Sequence, residues 1–177
     1  LIVDDNVRCI LARPGNRNAA GRTEKTREYK VLHIAAISNS ENITKKDFSP
    51  YTYSVVPNSY MQAKAVALAV AKMAKDKKWK YYVTLASDYE WGHSTQESFV
   101  EILKQVSPAL ELRESFWPPL GETEFTRYAM KILKEGPGFV FGSLASKDNE
   151  YWLNQAKSLG FFDKVPYQGS LISVTEL

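Results

Sequence analysis

Residues 80–117 read KYYVTLASDYEWGHSTQESFVEILKQVSPALELRESFW. The run KYYVTLA (80–86) is apolar, aromatic and β-branched, and predicts a strand. Ser94 and Glu97 have the S-x-x-E spacing of a capping box, and Phe99, Leu103 and Val106 share one helical face. They predict a helix over 94–106. LELRESFW (110–117) alternates as a strand does and stops at Pro118-Pro119. Strand, helix and strand at this spacing form one parallel crossover unit.

The pattern continues downstream. Residues 123–135 predict a helix with Phe125, Ile132 and Leu133 inward, broken by Gly136-Pro137-Gly138. FVFGS (139–143) predicts a short buried strand. Residues 148–159 predict a helix with Trp152, Ala156 and Leu159 inward, stopped by Gly160, and 166–169 and 171–174 are short strand candidates. This alternation predicts an α/β fold: a doubly wound, Rossmann-like parallel sheet with helices on both faces. Right-handed crossovers put every strand's carboxyl end on one edge, where ligands of open α/β sheets bind. The loops that meet there are 38–44, 57–60, 87–93, 118–122, 143–147 and 169–173.

Upstream, VLHIAAI (31–37) is near-continuously apolar and predicts a strand buried on both faces. YTYSVV (51–56) predicts another, ended by Pro57. Ser59 and Gln62 have capping-box spacing before an alanine-rich helix that carries Val66, Leu68, Val70 and Met73 and runs to Ala74. VRCILA (7–12) is a short apolar run, and 13–30 reads as a loop with a short helix.

Composition narrows the function. A chain of 177 residues, 44% hydrophobic and 24% charged, has the profile of a soluble globular protein. No apolar run reaches the roughly 18 residues of a membrane span. The single cysteine, Cys9, excludes an intrachain disulfide and a cysteine-based zinc cluster, and two histidines make a poor metal site. Net charge is +3, so nucleic acid is not an expected partner. The cations of 13–30 and 72–80 read as solvated faces, the second complementing a helix carboxyl end.

Catalytic motifs are missing. LIVDDN (1–6) resembles the start of a response-regulator receiver, but no phospho-acceptor aspartate ends a later apolar strand. Asp4, Asp5 and Asn6 read instead as a turn before the 7–12 strand. GPGFVFG (136–142) precedes a strand instead of following one, so it is not a dinucleotide fingerprint. There is no phosphate-binding loop, nucleophile elbow or HExxH. His93 reads as a solvated or hydrogen-bonded residue at a loop-to-helix junction. No cofactor or metal is expected. Binding features stand out more: Ser87-Asp88-Tyr89-Glu90-Trp91-Gly92 puts two aromatics in a strand-to-helix loop on the ligand edge. Ordinary packing of Tyr89 and Trp91 is the alternative.

Five segments resemble, in order, the type I periplasmic solute-binding proteins of the branched-chain amino acid group. They are VLHIAAISNSENIT, YTYSVVPNSYMQAKAVA, ASDYEWG, PLGETEFTRYAMKILKEGPGFVFGS and WLNQAKSLGF. The resemblance implies two α/β lobes closing on a small solute, delivery to an ABC permease, a periplasmic or extracellular location and no chemistry. It implies that residues 1–57 are part of the first lobe and 58–177 most of the second, with flanking portions of the family's length outside this chain. By the same resemblance the solute meets Ser38, Asn39 and Ser40 in the first lobe. Ser59 stands where the family often has an acid for a ligand ammonium, with an N-cap role as the alternative. Tyr89 and Trp91 cover the solute, and Ser143, Ala145 and Ser146 follow the 139–143 strand.

Three positions depart from the family. ARPGNRNAAGR (12–22) lacks a serine-bearing loop, Ser59 is neutral, and Gly169-Ser170-Leu171 lacks the second acid. A buried ammonium without a carboxylate is costly. The expected solute is therefore a neutral or anionic molecule, such as an aromatic or aliphatic carboxylate or an amide. A ligand-sensing regulatory or receptor domain shares this fold and is the competing expectation. A signal peptide in the full-length gene would favour the transporter, and a fused signalling domain the sensor. An α/β enzyme using Asp88 or His93 is the third.

Overall fold

The computed structural model describes residues 2, 6–12 and 19–170. The turn expected at Asp4 and Asp5, most of the 12–22 loop and the strand expected at 171–174 lie outside the described residues. The chain divides into two compact units, residues 1–61 and 62–177.

In the first unit β1 (Cys9–Ala12), β2 (Leu32–Ala35) and β3 (Thr52–Ser54) form a parallel sheet in that order. Helix α1 (Ala19–Glu28) lies against β2 and β3. The expectation that the 31–37 run is buried on both faces is corrected. His33 and Ala35 are buried under one face, whereas Leu32 is exposed and Ile34 only half-buried. Among the described residues α1 packs on one face of this sheet, and Leu11, Leu32 and Tyr53, all exposed, share the other.

The layer beneath α1 is polar, with Thr23, Thr26, His33 and Thr52 all buried. His33 Nδ1 meets Thr52 Oγ1 at 3.3 Å, and its Nε2 has no partner among the described residues. Burial, and secondarily the charge of Arg22, hold its pKa below the ordinary 6.5. The unfolded chain therefore takes up this proton more readily than the native one. His33's contribution to stability is complete above the unfolded value and is lost as pH falls through the native one. Denaturant unfolding at about pH 7.5 and about pH 5 checks this: the wild-type protein should lose more stability than His33→Gln. Equal losses would show that His33 takes no part.

Helix α2 (Ser59–Lys77) begins in the last residues of the first unit, and in the second it leads into β4 (Tyr81–Ala86), α3 (Glu90–Val106) and β5 (Glu111–Phe116). Then follow α4 (Thr126–Glu135), β6 (Phe139–Ser143), α5 (Ser146–Ser158) and β7 (Tyr167–Gly169). The sheet order is β5-β4-β6-β7 and every pairing is parallel. This is the doubly wound sheet that the alternation predicts.

Two apolar clusters flank it. Ala63, Ala67, Val70 and Ala74 of α2 and Phe99, Ile102 and Leu103 of α3 pack on Tyr82, Phe139 and Phe141. Phe125, Ala129 and Ile132 of the α4 region and Trp152 and Ala156 of α5 pack on Val83, Leu85 and Val140. Successive residues of β4 and β6 thus feed opposite layers, as the two-residue period of a strand requires. Small side chains along the buried stripe of α2 allow close approach, and Phe99 stacks on Phe141 with ring centroids 3.7 Å apart.

Four helix starts differ from expectation, α5 beginning at Ser146 instead of 148. The N-cap of α2 is Asn58, whose Oδ1 accepts the Met61 N–H at 2.9 Å. Ser59 is instead the first helical residue, fully buried, its N–H donating to Asn39 O at 2.7 Å. Helix α3 begins at Glu90, a full turn before the Ser94–Glu97 pair, so Trp91 and Gly92 lie in its first turn and not in a loop. Helix α4 starts at Thr126. Its first amides are capped from α5: Gln155 Oε1 accepts the N–H groups of Phe125 and Thr126 at 2.6 and 3.0 Å, and Gln155 Nε2 donates to Thr123 O at 2.7 Å. At its other end Gly136 adopts φ 58°, the left-handed conformation of a helix stop.

Candidate functional site

From β4 the chain crosses to β5 through α3 on one face of the sheet. From β6 it crosses to β7 through α5 on the other. The carboxyl ends of the adjacent strands β4 and β6 therefore flank a topological switch point, the crevice where such sheets bind ligands. The segments that leave this point are Ser87–Gly92 and Leu144–Asp148.

Ser87 organises them. Its N–H donates to Ser143 O at 3.1 Å, which extends the β4–β6 pairing past the strands. Its hydroxyl accepts the Ala145 N–H at 3.0 Å and donates to Asp148 Oδ2 at 3.1 Å. Ser87 O accepts the Tyr89 N–H at 2.8 Å and lies where a Cβ on Gly92 would sit. Asp88 N–H reaches Pro118 O at 2.8 Å, which ties in the loop after β5. From that loop the Gly121 N–H donates to both oxygens of Asp148 at 3.2 Å.

Tyr89 and Trp91 stand at the start of α3 with ring centroids 6.0 Å apart. Tyr89 is half-buried. Burial, then the charges of Asp148 and Glu90, raise the pKa of its phenol, which stays a neutral hydroxyl. Trp91 is 3% exposed, and its indole N–H donates to Gln62 Oε1 at 3.3 Å. Asp148 is buried, and desolvation holds its carboxyl above the usual carboxylate range against the two donors that favour the anion. His93 Nε2 meets Asp88 Oδ1 at 2.7 Å, and its ring stacks on Trp117 at 4.1 Å. That pair is solvent-accessible and has no nucleophile attached. Among the described residues no group of His, Cys, Asp and Glu is arranged to hold a metal. No helix among them is long and apolar enough to cross a membrane.

A profile of the periplasmic binding protein family matches residues 1–177, the whole chain. The chain belongs to that family. Periplasmic binding proteins of this type carry solutes and do no chemistry on them. Among solved structures, a periplasmic binding protein from Burkholderia mallei superposes with a TM-score of 0.88 at 16% identity, covering 99% of this chain and 45% of that one. An ABC-transporter solute-binding protein from R. palustris, in complex with 4-hydroxybenzoate, matches with a TM-score of 0.87 at 22% identity, covering 100% and 47%. A Leu-, Ile-, Val-, Thr- and Ala-binding protein from Brucella ovis, in its closed conformation, matches with a TM-score of 0.82 at 19% identity, covering 95% and 44%. The chain thus spans just under half the length of these structures. Among curated protein sequences none matches significantly.

In this periplasmic binding protein chain the expected site residues fall into two groups. Ser38, Asn39, Ser40 and Ser59 lie in the first unit. Asn39 joins them: its O accepts the Ser59 N–H, and its Nδ2 donates to Pro57 O at 2.7 Å. Ser40 Oγ accepts the Asn42 N–H at 3.2 Å, which caps the short 3₁₀ turn Glu41–Ile43. Tyr89, Trp91, Ser143 and Ala145 lie around the switch point of the second unit. Ser143 is buried, with its hydroxyl donating to Gly92 O at 3.4 Å, whereas Ala145 is half-buried and Ser146 exposed. Sequence reasoning missed Ser87, Gly121, Gln62 and Asp148. Their partners here are distant in the chain, so neither the capping-box spacing of Gln62 nor the place of Ser87 in the 87–92 segment reveals these contacts.

Proposed function

We propose that the chain is part of an extracytoplasmic solute-binding protein of an ABC importer, periplasmic or extracellular in location. On this reading residues 1–57 belong to one lobe and 58–177 to most of a second. The two lobes close on a small carboxylate-bearing or neutral solute, which is then delivered to a membrane permease. Ser38, Asn39 and Ser40 are the contacts from the first lobe, and Ser59 stands just past its boundary. Tyr89, Trp91, Ser143 and Ala145 are those from the second.

One observation carries the solute class. The buried acid at the switch point, Asp148, is already engaged by Ser87 and Gly121, and Asp88 is engaged by His93. Asp148 is thus committed to loop donors and Asp88 shares an oxygen with His93, while the half-buried Tyr89 ring, with Trp91 buried beside it, offers a surface for an apolar or aromatic body. The 4-hydroxybenzoate carried by the R. palustris relative supports this direction. The amino acids named for the Brucella ovis relative represent the rival class.

A thermal-shift and calorimetric panel on the full-length protein decides between them. 4-Hydroxybenzoate or benzoate should stabilise it more than leucine or valine does. Leucine or valine as the best stabiliser would overturn the carboxylate reading.

A further inference from the structure

We propose that Asp148 is a positioning residue for solute binding. It clasps the loops after β4 and β5 to the start of α5, and thereby sets the presentation of Tyr89 and Trp91. The proposal rests on the binding role argued above, and Asp148 itself touches no solute.

The geometry is a relay across three segments distant in sequence. The Ala145 N–H donates to Ser87 Oγ, the Ser87 hydroxyl donates to Asp148 Oδ2, and the Gly121 N–H donates to both carboxylate oxygens. Ser87 is fully buried and Asp148 is 4% exposed, so water does not compete freely for these bonds. Gly121 adopts φ 89°, a left-handed conformation that a side chain would resist. Tyr89 follows two residues after Ser87 and is tied back to it through its N–H to Ser87 O.

Stability alone does not account for an acid here. Its burial disfavours the charged form, and it stands one helical turn before Trp152, at the edge of an apolar cluster to which it contributes no apolar side chain. A buried charge that is retained although apolar packing would serve stability better is a candidate for specifying one arrangement. What Asp148 specifies is the mutual placement of three rim loops.

Two measurements on the full-length protein test it, with Asp148→Ala, Asp148→Asn and Ser87→Ala. The first is hydrogen exchange without solute. Asp148→Ala should speed exchange at least tenfold at the amides of Gly121, Ala145 and Tyr89, and leave β4 and β6 unchanged. No change at the rim, or a uniform rise that includes the strands, would overturn the clasp. Should Asp148→Ala fail to fold, Asp148→Asn and Ser87→Ala are read the same way.

The second is calorimetry with 4-hydroxybenzoate and, separately, leucine. Affinity for whichever binds the wild type should fall at least tenfold in Asp148→Ala and less in Asp148→Asn, which keeps one acceptor oxygen. The Asp148→Ala and Ser87→Ala losses should be less than additive in the double variant, because both break one relay. Unchanged affinity or full additivity would overturn the positioning role. A wild-type protein that binds neither probe counts against the solute reading, and the exchange result still decides the clasp.

Discussion

Replacing Gly92 with alanine should destabilise the second unit by about 3 kcal/mol, at the upper end of overpacking effects. An ideal Cβ on Gly92 would lie 2.0 Å from Ser87 O and 3.1 Å from its carbonyl carbon. Both are backbone atoms, so no rotamer change relieves the clash. That carbonyl also accepts the Tyr89 N–H. The first turn of α3 would have to lift away from the end of β4, taking Tyr89 and Trp91 with it. Denaturant titration followed by fluorescence should show the loss, together with weaker uptake of whichever probe the wild type binds. A change under about 1 kcal/mol would mean that the turn yields more easily than its backbone contact implies.

Trp152→Ala should cost about 3–5 kcal/mol, the range for removing a large buried aromatic. Trp152 is fully buried in the cluster beneath α4 and α5. It meets Phe161 edge-on at 5.0 Å and Phe125 and Phe162 at 6.3 Å, with Tyr167 tilted at 5.7 Å. Its indole N–H has no hydrogen-bond partner among the described residues. Trp152→Phe removes that donor and keeps most of the apolar volume, so it should cost much less than the alanine. Equal losses for the two variants would indicate that the indole N–H is satisfied after all. Both are read in the same denaturation assay, against Gly92→Ala as a site-proximal comparison.

Both residues show where a sequence is informative. The inward positions of Phe125, Ile132, Trp152 and Ala156 were legible because burial on one helical face imposes a period that composition alone reveals. The alternation of strands and helices made the parallel sheet legible for the same reason. The helix starts were less so. Ser59, Ser94 and Asn58 all belong to residue types that cap, and local spacing does not choose among them. The choice is made by contacts such as Ser59 N–H to Asn39 O and by the close fit of Gly92 on Ser87. The run at 31–37 looked doubly buried because its composition is apolar. How many helices cover a sheet is a property of the assembled layers, not of the strand.

Site positions were legible only as loops. The order of elements puts 87–93 and 143–147 at one edge, but the partners of Asp148 lie 61 and 27 residues away. Gln155 is similar. It belongs to a recognisable helical segment, yet its role as the cap of α4 exists only when the two helices are side by side.

The two apolar layers on either side of β5-β4-β6-β7 have a consequence for how such a chain evolves. The determinants of folding alternate along the strands and line the inner faces of four helices. Of the two segments that leave the switch point, only Leu144 enters either cluster. Exposed side chains there are open to substitution, provided the close fit of Gly92 on Ser87 and the short hydroxyl and carboxyl ties between loops survive. Drift at the rim is therefore tolerated, and one scaffold is free to acquire new cargo one loop at a time.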